Sequence, residues 1–203
     1  TAAFLMPHAL IALPQLSNAR VLVREGSIEA LLPDIQNRKL DLLIARLGPD
    51  TVDPDLVQDV LGDGPMCVVA SANHPLASRM TCTWQEVTTF PWVLPPAGSP
   101  VRAGLDMLFL RHGATPIASV ESASVLNNMV MMTLGQHVSL VPLAVAAFHS
   151  RHSGICILPL ELPAIFGPLG IVRHRSLSLS PGMQALMECL KRTNLEFLFG
   201  LRG

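Results

Sequence analysis

Tyrosine is absent from the 203 residues, and aromatic residues make up only 4% of them. So little aromatic surface leaves almost nothing on which to stack the bases of a single-stranded nucleic acid. Charge is scarce too: 14 lysines and arginines stand against 15 aspartates and glutamates, a formal net charge of −1. That balance lacks the concentrated positive field of a nucleic-acid-binding surface, and it excludes an acidic tail. There are four cysteines, Cys67, Cys82, Cys156 and Cys189, with no CxxC pair among them. Disulfide frameworks and structural zinc want close, paired spacing, so free buried thiols in a reducing compartment are expected. Mean hydropathy is high at +0.44, yet no apolar run approaches the roughly 18 residues of a membrane span. The nearest, within 2–16, is broken by Pro7, His8 and Pro14, and it has neither the basic leader nor the cleavage site of a signal peptide.

Half of the residues are hydrophobic, ample for a buried core. Apolar runs of strand length alternate with helical patterns almost throughout, which predicts βαβ units and a mainly parallel sheet. Helical spacing covers 2–16, and the alternation of "ARVLVRE" (19–25) predicts a strand closed by Gly26. Ser27 then reads as the N-cap of a helix carrying Ile28, Leu31, Leu32 and Ile35 on one face, with Pro33 expected to kink it or delay its start. Further strands are expected at 41–47, 66–71, in "FPWVL" from 90, and at 117–122, 137–142, 154–160 and 169–174. Helices are expected at 83–89, 100–112, 123–134, 143–150 and 181–199, the second burying Leu105, Leu108 and Phe109.

The most informative local feature is "AGSPVR" (97–102), where a strand gives way to a Gly-Ser turn and a helix opens with Pro100. Ser99 becomes the N-cap, and helix-start amides favour anions. Arg102, in the first turn, adds a charge-assisted donor for a carboxylate. An ordinary capped helix start with a solvated arginine explains the same residues. Arg46 ends an apolar strand and either reaches a ligand or pairs with Asp41 or Asp50. Glu121 and Ser122 end one strand and Val141 and Pro142 another, and strand carboxyl ends face the crevice of open α/β sheets. His149 and His152 stand at i, i+3 without a third ligand nearby, so no metal and no cofactor is expected. No nucleophile elbow, P-loop or dinucleotide fingerprint follows a strand, so no catalytic residue is expected.

Taken together, "LVREGSIEALLPDIQNRKLDLLIARL" (22–47), "HPL" (74–76), "FPWVLPPAGSPVRAGLDMLFLRHG" (90–113), "VESASVLNNMVMMTLGQHVSLVP" (120–142) and "LGIVRHRSLSLSP" (169–181) resemble the effector-binding domain of LysR-type transcriptional regulators. The resemblance implies an α/β fold of two Rossmann-like subdomains joined by two crossover strands, like type 2 periplasmic binding proteins. Subdomain I would be 1–65 plus 170–203 and subdomain II 66–169. A small effector, an organic acid, would bind in the cleft between them through Ser99, Pro100, Val101, Arg102, Ser27, Arg46, Ser122 and Thr1. Ser27 and Thr1 enter because hydroxyl residues at such turns contact the effector in this family, although plain helix capping accounts for them as well. The resemblance also implies a cytoplasmic homodimer or tetramer, with no membrane partner. DNA would be bound only by an N-terminal winged helix-turn-helix that, with part of the first strand, is expected to lie outside this sequence. Leu10, Leu13, Leu16, Val21 and Val23 would face Leu108 and Leu110 of a partner, unless they belong to each monomer's own core. A solute-binding protein of the same architecture is the second reading, and an enzyme on this fold a third.

Overall fold

The computed structural model describes residues 2–13, 20–48, 51–152 and 154–200. In chain order the elements are α1 (Ala2–Ile11), α2 (Ile28–Gln36), β1 (Leu43–Arg46), β2 (Leu56–Gly62), β3 (Met66–Ser71), α3 (Trp84–Thr88), β4 (Pro91–Leu94), α4 (Pro100–Arg111), β5 (Ile117–Glu121), α5 (Val125–Leu134), β6 (Val138–Pro142), α6 (Leu143–His152), β7 (Ile155–Ile157), β8 (Leu169–His174) and α7 (Pro181–Gly200). They fall into two compact units, one of Thr1–Gly64 with Gly167–Gly203 and the other of Pro65–Phe166.

Unit one holds a three-stranded sheet in the order β1-β8-β2, with both pairs antiparallel. Alternate residues of its central strand face opposite sides, so each side needs its own cover. Leu169 and Ile171 pack with Leu5 and Ala9 of α1 and Leu186 and Leu190 of α7. Val172 points the other way, into a cluster with Leu31 and Ile35 of α2 and with Leu43, Leu47 and Leu56. Cover on both faces explains the buried apolar run of 169–172, ahead of the half-buried Arg173 and His174.

Unit two holds a five-stranded sheet in the order β5-β4-β6-β3-β7. β4 runs parallel to β5 and β6, whereas β3 runs antiparallel to β6 and β7. Trp92 is fully buried beneath α3 and α4, its Nε1 donating to the Val87 carbonyl at 3.0 Å. Phe109 meets Trp92 and Trp84 edge-on, with ring centroids 5.1 and 5.6 Å apart. Leu105, Leu108, Val138 and Leu140 complete that core.

Four expectations are corrected. The strand at 19–25 does not form: 20–27 has no regular structure, and Val21, Leu22 and Val23 are 42, 75 and 51% exposed. Alternation yields a strand only where a neighbour supplies the ladder, and among the described residues none pairs with this segment. The pairing is mixed rather than mainly parallel, because β8 returns from the end of the chain to lie between β1 and β2, opposite in direction to both. Of the two outcomes expected of Pro33, a kink or a late start, the late start is corrected: α2 starts at Ile28 directly after its cap and holds Pro33 inside it. Leu108 is 1% exposed inside unit two and Leu13 is buried in unit one, so neither is free to face a partner. Leu16 lies outside the described residues.

Candidate functional site

The three parallel strands of unit two set the site. β4, β5 and β6 end at Leu94, Glu121 and Pro142, on one edge of the sheet, and each leads towards a helix. The carboxyl edge of parallel strands is where ligands gather in open α/β sheets. Between β4 and α4 the chain runs Pro95-Pro96-Ala97-Gly98-Ser99. Gly98 takes φ +83°, a conformation that side-chain-bearing residues rarely adopt. Ser99 caps α4: its Oγ accepts from the Arg102 amide at 3.3 Å and donates to the Pro96 carbonyl at 2.9 Å. Pro100 follows at the first helical position and has no amide to offer. The side chain of Val101 packs against the core of unit two. The amides of Gly98 and Val101 have no partner among the described residues.

Arg102 is held by several acceptors. Its Nη1 donates to Glu121 Oε1 at 2.8 Å and to the Pro95 carbonyl at 3.1 Å, and its Nε to Asp106 Oδ1 at 2.9 Å. The second Glu121 oxygen accepts from the Ala97 amide at 3.4 Å. The guanidinium, and after it the Ala97 amide, hold the Glu121 carboxyl below the usual carboxylate range. Hydrogen bonds to Glu121 and then Asp106 raise the arginine in return. Nη2 of Arg102 keeps both its protons unpartnered among the described residues.

Beside this turn, Ser122 donates its amide to the Leu94 carbonyl at 2.9 Å, and its Oγ accepts from the Ser124 amide and Asn127 Nδ2. Ser122, Ser99, Pro100, Val101 and Arg102 therefore share one edge of unit two. In unit one, Ser27 is exposed and caps α2, accepting from the Ala30 amide at 3.4 Å. Arg46 is partly buried. Its guanidinium donates to the carbonyls of Gly167, at 2.8 Å, and Gly64, and burial pushes its pKa down to about 10. Thr1 and Asp50 lie outside the described residues.

Sequence reasoning missed two residues, Asp106 and Ser124, and one contact, that of Glu121 with Arg102. Asp106 was legible in principle, since it stands four residues after Arg102 on a helix. Ser124, the true cap of α5, was hidden behind Ser122. Glu121 was placed only as a strand end; its bond to Arg102 spans 19 residues and leaves no local trace. Among the described residues, no group of three metal-ligating side chains could hold an ion, and no helix is long and apolar enough to cross a membrane.

A two-unit α/β fold with helix starts and an arginine at a parallel-strand edge defines a class of small-molecule-binding domains. The family model described as LysR substrate binding domain matches residues 1–194, and the chain belongs to that family. It is 29% identical over 194 residues to the HTH-type transcriptional regulator GalR of Pseudomonas putida, covering 95% of this chain and 49% of that protein. The chain thus spans about half the length of the curated relatives it matches. Among solved structures, the CcmR regulatory domain of Synechocystis PCC6803 in complex with 2-PG superposes with a TM-score of 0.77 at 20% identity, over 95% of this chain and 92% of that one. The effector-binding domain of QuiR in complex with shikimate gives 0.71 at 18% identity, over 94 and 90%. These likenesses place the fold.

Proposed function

We propose that this chain is the effector-sensing part of a transcriptional regulator, and that it takes a small organic acid at the 95–102 turn of unit two. The observation that carries the reading is the combination at that turn: two amides without partners, at Gly98 and Val101, next to a guanidinium with one free amino group. Helix-start amides and arginine both favour a carboxylate. The family supplies the regulatory context, because its matched relatives are named transcriptional regulators. Those names favour a sensor over a solute carrier, and a sensor releases its ligand unchanged. In the whole protein, a cytoplasmic homodimer or tetramer, effector binding alters how a separate N-terminal domain engages DNA. An effector does this only through its different affinities for the arrangements it selects between.

Thermal unfolding against aromatic carboxylates such as benzoate, sugar-derived carboxylates and the alicyclic acid shikimate tests the reading. At a hundred times its dissociation constant a ligand adds about 2.7 kcal/mol, and each kcal/mol raises a domain of this size by about 2–4 °C. A shift for one acid but not for its amide is expected. A flat response across the panel removes the organic-acid reading.

A further inference from the structure

Part of the anion seat at the 95–102 turn, Arg102 Nη1 and the Ala97 amide, is already filled by the chain itself. Glu121 reaches across from the end of β5, the parallel neighbour of β4, and places one carboxylate oxygen on Arg102 Nη1 and the other towards the Ala97 amide. The two partners are held very differently. The Arg102 side chain is 18% exposed and is fixed by the Pro95 carbonyl and Asp106 as well, whereas the Glu121 side chain is 47% exposed. An ion pair with one half-exposed partner is weak, so it is the glutamate that can leave. We propose that Glu121 is an internal stand-in for the effector, and that an organic acid binds by displacing its carboxylate from Arg102 and the Ala97 amide. The proposal rests on the preceding reading of the turn as an organic-acid site.

The exchange swaps one carboxylate for another, so the partly buried arginine keeps an anionic partner while the half-exposed Glu121 carboxylate passes into water. It also narrows the ligand. Asp106 keeps Nε occupied after Glu121 departs and the Pro95 carbonyl keeps one Nη1 proton, which leaves the other Nη1 proton and Nη2 for a single carboxylate. The retained Asp106 charge selects against a second anionic group placed close to the first. The expected effector class is therefore a monocarboxylate whose remainder is neutral.

Chemical rescue tests this. Glu121→Ala removes the same atoms that acetate supplies. Acetate several-fold above its dissociation constant should raise the unfolding temperature of Glu121→Ala by about 2–4 °C, with no comparable rise from acetamide. Wild type, in which Glu121 already holds Arg102 Nη1 and the Ala97 amide, and the double variant Glu121→Ala/Arg102→Met, which has no guanidinium, should not respond. Equal acetate responses in wild type and Glu121→Ala, or none in either, would overturn the proposal. Should the alanine variant fail to fold, Glu121→Gln keeps the shape and removes the charge. The Arg102 side-chain N–H signals should then shift at lower acetate concentration in Glu121→Gln than in wild type, and coincident titrations would overturn the proposal. The two readings fail separately. Rescue with a flat effector panel leaves the stand-in and removes the organic-acid sensor, whereas a responsive panel without rescue does the reverse.

Discussion

His74 shows how a single side chain ties stability to pH. It is 4% exposed, its ring lies 4.2 Å from that of Phe90, and its Nδ1 accepts from the Leu76 amide at 3.1 Å. An Nδ1 that accepts must be unprotonated, so the fold selects the neutral ring with its proton on Nε2. Burial lowers the pKa, and the backbone of Gln136 works partly against that shift. Because the folded value lies below the unfolded one, the unfolded chain binds the proton first as pH falls. Stability is therefore expected to hold above the unfolded histidine value of about 6.5 and to decline below it, down to the folded pKa. Urea midpoints at pH 7.5 and 5.5 should differ in wild type and differ less in His74→Asn, which cannot titrate but can still accept from Leu76. Equal pH dependence in the two proteins would remove His74 as the cause.

At the scale of the element, the turn between β4 and α4 shows which parts of the site are local. Proline at the first helical position, serine before it and glycine before that prescribe a capped helix start from three neighbouring residues. Gly98 matters for its backbone alone, since a Cβ there would meet nothing within 4 Å. Gly98→Ala should therefore cost about 1–2 kcal/mol through φ, seen as a lower thermal midpoint, without disturbing the Trp92–Phe109 core. The segment at 20–26 teaches the opposite lesson. Its residue types favour a strand as strongly as those of β3, yet propensity cannot provide a partner. β2 failed the other way: "LVQDVLG" mixes buried Leu56 and Leu61 with exposed Gln58 and Val60, so no clean alternation announced it. It is a strand because β8 pairs with it from Leu56 to Gly62.

At the scale of the whole molecule, the chain leaves unit one at Gly64 and re-enters it at Gly167, and Arg46 donates to the carbonyl of each. Gly167 adopts φ +70° and passes so close to Leu47 that a Cβ would lie 2.7 Å from the Leu47 carbonyl oxygen. One arginine at the end of β1 thus pins both passage points within unit one. Arg46→Met keeps the length and removes the donors, leaving two carbonyls short of a partner, and is expected to cost about 1–3 kcal/mol. Arg46→Lys should recover part of the loss, since a single ammonium cannot reproduce the planar fork. Denaturant midpoints of the three proteins check this order.

The sequence by itself determined what depends on near neighbours. The alternation of elements, the caps at Ser27 and Ser99, the apolar faces of α2 and α4 and the buried run of β8 all follow from contacts or torsions within a turn or two, so the residue order carries them. Tertiary structure decided what depends on partners far along the chain: the direction of each strand, the unpaired state of 20–26, the hold of Glu121 on Arg102 and the hold of Arg46 on a carbonyl 121 residues away. A hydrogen bond between distant residues needs only a donor and an acceptor brought together by packing. The residues that form it look in sequence like any other charged side chain or peptide group, and only the fold selects which of them meet.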